Sequence, residues 1–258
     1  MRVEDLVSPI SPDAPCGEDL LAADDPDFID YYFGVEDRLP SSYFNMARGT
    51  LFDSKSVDLK GETARIEALL KRSRDLRIVG LDAKFNILAG RFKGFAEAVL
   101  GMVALLETYP QEVHPTDPVD RRNAIEELDT LATVVAPLDY ATLITDKRFG
   151  DVTFRPFGTA TGKIDKREGE DAGDSNGITA ALASSENVKN VDTLHEQLTA
   201  MRDGIRKMIL ICQSGSDSFT PRLDRLDTKL RDIHDMVLGA RSDLGGASAE
   251  SPDGAAAG

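Results

Sequence analysis

Apolar positions along the chain fall into blocks of helical period, separated by stretches rich in proline, glycine and charge. In GETARIEALLKRS, Ile66, Leu69 and Leu70 share one face at three- and four-residue spacing. In DLRIVGLDAKFNILAG two neighbouring lines are apolar, one of Leu76, Val79, Ala83 and Ile87, the other of Ile78, Leu81, Phe85 and Leu88. A helix apolar over so much of its circumference belongs at the centre of a bundle. Gly90 is placed to end it, and RFKGFAEAVLGMVALLETY predicts the next helix, with Phe92, Phe95, Val99, Met102, Val103 and Leu106 inward. Pro110 and Pro115 stop that pattern. Asp117 and Pro118 form an N-cap and first-position pair that opens a fourth helix through NAIEELDTLATVV. ATLIT and DVTFR, joined by DKRFG, read as two short strands and predict a small hairpin at about 141–155.

From Phe157 to about Asn187 the chain is rich in Gly, Thr, Ala, Ser and charge, which reads as a linker with one short helix near ITAALA. The pattern then changes character. Val191, Leu194, Leu198, Met201, Ile205, Met208 and Cys212 alternate steps of three and four, and Leu223, Leu226, Leu230, Ile233 and Val237 do so again. This predicts a helical hairpin with a coiled-coil-like seam, satisfied either by its own two helices or by a second copy of the chain. Leu194, Leu198, Met201 and Ile205 are the candidate self-association seam. The predicted fold class is all-α, mainly a helical bundle, with one small β-hairpin and a C-terminal helical hairpin. The expected organisation is a domain over 1–156, a linker over 157–187, the hairpin over 188–240 and a disordered tail over 241–258.

The first 38 residues have a different composition. Pro12, Pro15 and Gly17 in SPDAPCGEDL favour an extended arm with a turn before any regular pattern begins. Phe28, Ile29, Tyr31, Tyr32 and Phe33 then form an aromatic packet suited to anchoring that arm to the body. Residues 39–61 read as loop. Residues 1–38 carry eleven acids against Arg2 and Arg38, whereas KRSRDLR at 71–77 carries Lys71, Arg72, Arg74 and Arg77. Arm and basic turn either pair within the chain or stand as separate solvated surfaces.

Over the whole chain 45 acids outweigh 30 bases, a formal charge of −15, which repels polyphosphate and anionic lipid and argues against nucleic acid as a partner. No apolar run reaches the roughly 20 residues of a membrane span, and MRVEDLVSPI lacks the apolar core of a secretory signal. Cys16 and Cys212 are too few and too far apart in sequence for a disulfide framework, so a cytoplasmic location without membrane insertion is expected.

Motifs for chemistry are weak. GTATGK at 158–163 has three residues between its glycines where a phosphate loop needs four, and Ile164 stands where Ser or Thr should hold magnesium. In EDAGDSNG the register set by Gly177 puts Ala172 and Ala183 at essential calcium-ligand positions, which leaves a polar turn. His114, His195 and His234 lack metal-ligand spacing, although His195 and His234 can approach across the helical hairpin. Cys212 occupies a seam position and Cys16 has no adjacent base to activate it. No catalytic, cofactor or metal site is assigned.

PISPDAPCGEDL at 9–20, DPDF at 25–28, LLKRSRDLRIV at 69–79 and HPTDPVDRRNAIEEL at 114–128, in this order around the apolar helix pair, together resemble the ImpA N-terminal domain of TssA proteins of bacterial type VI secretion systems. The resemblance spans about residues 6–156. It implies a non-enzymatic assembly factor at the cytoplasmic baseplate, helping contractile tube and sheath polymerise. The implied partners are baseplate, tube and sheath proteins, with the membrane complex as a further one. Family members carry a middle helical domain and an oligomer-forming C-terminal region, whereas this chain stops after one helical hairpin and is expected to be a short variant or a truncated form. Asp13, Glu18 and Asp19 in the arm, with Lys71, Arg72, Arg74 and Arg77 in the basic turn, are the candidate interaction surface. A cytoplasmic helical adaptor or regulator unconnected with secretion is the alternative.

Overall fold

The computed structural model describes residues 3–171, 173–214 and 217–248. Helices dominate: α1 Val3–Val7, α2 Pro26–Phe33, α3 Leu59–Leu70, α4 Leu76–Leu88, α5 Phe92–Thr108, α6 Pro118–Glu126, α7 Phe154–Ala160, α8 Ser175–Ala183, α9 Val188–Cys212 and α10 Asp224–Ala240. An aspartate opens five of them. Asp25, Asp58, Asp75, Asp117 and Asp174 each accept a hydrogen bond from a main-chain N–H in the first turn of α2, α3, α4, α6 and α8. Such caps satisfy N–H groups that have no intrahelical partner and place negative charge at the positive end of the helix. Part of the chain's acidity is therefore structural punctuation.

The antiparallel pair α4 and α5 forms the centre, with α3 against α4, and α1 and α9 against α5. Nearly all of α4 is buried, as its two apolar lines require. The expected hairpin is present: β3 Ile144–Asp146 pairs with β4 Gly150–Val152, Ile144 opposite Val152. A second small hairpin, β1 Phe44–Asn45 with β2 Thr50–Leu51, lies in the stretch read as loop. Its strands are two residues long, too short for alternation to register in the sequence.

The fourth predicted helix is shorter than its apolar pattern. It ends at Glu126, and residues 127–139 continue as short tight and wide helical turns. Thr130 is extended, with ψ 123°. Next to it, Asp129 accepts the Leu226 N–H at 2.7 Å and so caps the start of α10. A tertiary capping contact has displaced the local helical preference.

The short helix expected near ITAALA is present as α8, and the stretch 157–187 around it packs on the body. Ile178, Ala181 and Leu182 of α8 are buried, with α8 packed against α10. Arg155 holds Glu170 at 2.6 and 2.7 Å, and the Arg167 guanidinium stacks 3.9 Å from the Phe44 ring centroid. Composition concealed this because only Ile178, Ala181 and Leu182 of α8 carry the packing. Gly158 in GTATGK lies within α7 against Ile164, and Asp174 in EDAGDSNG is the α8 cap.

Both halves share one continuous apolar core, running from Leu6 to Val237. The seam of α9 is satisfied inside the chain, against α5 and α10. Leu194, Leu198, Met201 and Ile205 are each at most 2% exposed, so they offer no face to a second copy, and the self-association seam is corrected to an internal one. Gly204 lets the helices close here, since a Cβ at that position would lie 3.0 Å from Val103 Cγ2. Residues 242–248 form a short 3-10 stretch, and the rest of the expected tail, 249–258, lies outside the described residues.

Candidate functional site

The quoted landmarks converge where the N-terminal arm meets the α3–α4 corner. Gly17 pairs with Ser73 in an isolated antiparallel bridge, and Arg74 N–H donates to the Cys16 carbonyl at 2.7 Å. Gly17 has φ +71°, and a Cβ there would sit 2.1 Å from the Arg72 carbonyl oxygen. Both observations require glycine. The Ser73 hydroxyl donates to the Glu18 carbonyl at 2.6 Å. From the opposite side, the His114 loop adds a parallel bridge to Asp75: His114 N–H donates to the Arg74 carbonyl at 3.0 Å, and Leu76 N–H to the His114 carbonyl at 2.8 Å. The α3–α4 corner is thus the middle strand of a three-part clasp.

Charged side chains tie the clasp together. Arg77 holds Asp75 with Nε and Nη2, at 2.6 to 3.1 Å, and Asp19 of the arm with Nη2 at 2.9 Å. Burial opposes the Arg77 charge, but hydrogen bonds and charge from Asp75 and Asp19 outweigh it and raise the guanidinium pKa. Burial likewise opposes ionisation of Asp19, yet the Ala22 N–H and Arg77 together hold its carboxyl below the usual range. His114 Nε2 lies 3.1 Å from the Gly17 carbonyl, and Nδ1 3.8 Å from Asp19. Arg74 directs its guanidinium into main-chain carbonyls of Leu70, Ser8 and Asp5, and burial lowers its pKa. Arg121 organises the proline loop in the same way, donating to the carbonyls of Pro110, Val113 and Pro115 at 2.6 to 2.8 Å.

The seven candidate surface residues therefore divide. Arg74 and Arg77 are only 6% and 8% exposed and serve the clasp, a correction to their reading as recognition surface. Asp19 is half-buried and shares that role. Asp13, Glu18, Lys71 and Arg72 remain exposed. Arg72 pairs with Asp25 and lies 3.3 Å from Asp27, so arm and basic turn do pair within the chain. Lys71 borders an open depression of about 730 Å3 with Asp5, Glu67, Arg74 and Glu97 on its walls. The sequence reading missed Ser73, Asp75, His114 and Arg121. Their signal was the recurrence of polar residues at short landmarks far apart in sequence, but only three-dimensional contact shows that they meet.

Cys16 and Cys212 are both buried, and burial pushes each thiol up to about 11. No cluster of three or more His, Cys, Asp or Glu suited to a metal occurs among the described residues, and no helix there is long and apolar enough to cross a membrane.

Residues 7–130, which contain Gly17, Asp19, the α3–α4 corner and the His114 loop, match the family described as ImpA, N-terminal, type VI secretion system. The type VI secretion system component TssA1 of Pseudomonas aeruginosa is 28% identical over 166 residues, which are 61% of this chain and 46% of that protein. The chain thus matches less than half the length of this relative. In fold it is similar to the N-terminal domain, including the conserved ImpA_N region, of the TssA component from Burkholderia cenocepacia. The TM-score is 0.64 at 16% identity, over 94% of both chains. The clasp and the bundle around it define an ImpA-type N-terminal domain. Through this region the chain resembles the TssA components of type VI secretion systems.

Proposed function

We propose that this TssA-type component acts without catalysis as an assembly factor in the cytoplasm, at the baseplate, where it supports polymerisation of the contractile tube and sheath. The observation that carries the reading is the role of the family landmarks in the fold: their charged groups fasten arm to body and leave a shaped exterior for other proteins. Its partners on this reading are baseplate, tube and sheath proteins and the membrane complex, met in part through exposed Asp13, Glu18, Lys71 and Arg72. Deletion of the gene in a strain with an otherwise complete system tests it. Sheath assembly seen by imaging, and export of tube protein, should both fail and return on complementation. Normal assembly and export in the deletion strain would overturn the reading.

A further inference from the structure

A groove of about 440 Å3 runs between α2 and the α4–α6 face, bordering the clasp at Arg77. Leu21, Tyr32, Phe33, Val35, Leu39 and Leu81 supply its apolar lining. Phe33 is 59% exposed, unusual for an aromatic side chain in a monomer, and it is braced. Tyr32 meets it edge-to-face at 5.4 Å and leans at 5.5 Å on fully buried Phe28.

The charges on the rim are unequal. Its two cations are already committed, Arg77 to Asp75 and Asp19, and Lys84 to Glu127. Glu36 and Asp120, exposed on the same rim, make no ion pair among the described residues. An apolar floor with unpaired carboxylates around it complements an apolar segment flanked by positive charge. A second copy of this chain is disfavoured as occupant, because it would bring another acidic rim and a formal charge of −15. An acidic or uncharged segment would leave the rim carboxylates desolvated without a partner.

We propose that this groove docks a short amphipathic segment of another secretion component, which sets large apolar side chains against Phe33 and Tyr32 and places Lys or Arg beside Glu36 and Asp120. The proposal deepens the assembly reading and rests on it for the origin of the segment. Aromatic anchors at the centre of the contact provide the binding strength, and the rim charges select the sign of the partner.

The test is fluorescence anisotropy with the full chain at near-physiological salt, using a labelled 18-residue amphipathic Leu/Lys peptide and a Leu/Glu peptide of the same pattern as probes. The Leu/Lys peptide should bind at least about tenfold more tightly than the Leu/Glu peptide. Phe33→Ser should weaken binding by about fivefold or more, and so should Glu36→Lys combined with Asp120→Lys. Glu168→Lys with Glu196→Lys makes the same change in net charge at exposed positions away from the groove and should alter affinity less than about twofold. Equal loss in this control pair, or no loss in the Glu36/Asp120 pair, overturns the proposal by reducing binding to general attraction. The Glu36/Asp120 pair decides the matter if Phe33→Ser melts early. A dimer in sedimentation velocity that Phe33→Ser returns to monomer also overturns it, placing a second copy in the groove. Failed peptide discrimination with sheath assembly lost on deletion removes the groove alone. Groove-specific binding with normal assembly on deletion removes the assembly reading instead.

Discussion

Arg77 and Asp19 meet at 2.9 Å across the junction of arm and body, 58 residues apart in sequence, while the same guanidinium brackets Asp75 at the start of its own helix. Asp75 is fully buried. Removing Arg77 leaves that carboxylate facing one main-chain N–H and no counter-charge. Arg77→Ala should therefore cost about 3–5 kcal/mol in urea-induced unfolding, the usual result of breaking a buried pair from one side. Arg77→Lys keeps the charge but loses the two-pronged contact, and should recover only part of the loss. A change below about 1 kcal/mol would show that the arm is not fastened here. By the same reasoning, Arg74→Glu with Arg77→Glu reports on folding, not on partner capture.

Arg72 supplies the contrast. Its pairs with Asp25 and Asp27 join the same two segments, but the Arg72 side chain is 44% exposed and Asp27 80%. Exposed pairs gain little over hydration and are screened by salt. Arg72→Ala should shift the melting temperature by no more than about 2 °C, and the difference should vanish at about 1 M salt. A shift as large as that of Arg77→Ala would refute the division into a structural and a surface arginine.

What the sequence disclosed and what it withheld follow from how local each determinant is. The α4 and α5 helices were legible because their apolar periodicity is set within one segment, and the same held for the α9 seam. The partner of that seam was not, since Leu198 reads identically whether it faces α5 or another molecule. KRSRDLR likewise presents four cations, and only the fold shows that Arg74 and Arg77 turn inward while Lys71 and Arg72 turn outward. The end of α6 was lost for a further reason: Asp129 caps α10, nearly a hundred residues away. The clasp was visible as landmarks but not as contacts.

The C-terminal helices should give the protein a pH-dependent stability. His234 on α10 lies 2.8 Å from His195 on α9, Nε2 to Nδ1, and its own Nδ1 lies 3.4 Å from Arg202. Burial, then the charges of His195 and Arg202, lower the His234 pKa below its ordinary 6.5. The unfolded chain therefore binds this proton more readily than the folded one. The stabilisation is complete above the unfolded value and is lost as pH falls through 6.5 toward the folded value. The melting temperature should decline from pH 7 to 5, and His234→Gln should flatten that decline. An equal slope in wild type and variant would assign the dependence to other groups.

The final prediction concerns whether the two halves fold as one unit. Leu198 is fully buried on the face of α9 that meets the bundle, and Gly204 brings that helix close to Val103 of α5. Leu198→Asp replaces a buried apolar contact with a charge that has no provision for pairing. Deleting a buried leucine side chain alone costs about 2–5 kcal/mol, and an unpaired carboxylate adds to that. If residues 1–156 were independent of the C-terminal helices, this substitution would melt only α9 and α10 and leave an early and a late transition. With one continuous core, it should lower a single transition followed at the same midpoint by circular dichroism and by fluorescence of the tyrosines in the N-terminal half. A fragment ending at 156 should show the same dependence, losing cooperative melting because the α5 face against α9 would be open to water. Wild-type melting of that fragment, or two separated transitions in Leu198→Asp, would show that the halves are separate domains that merely touch.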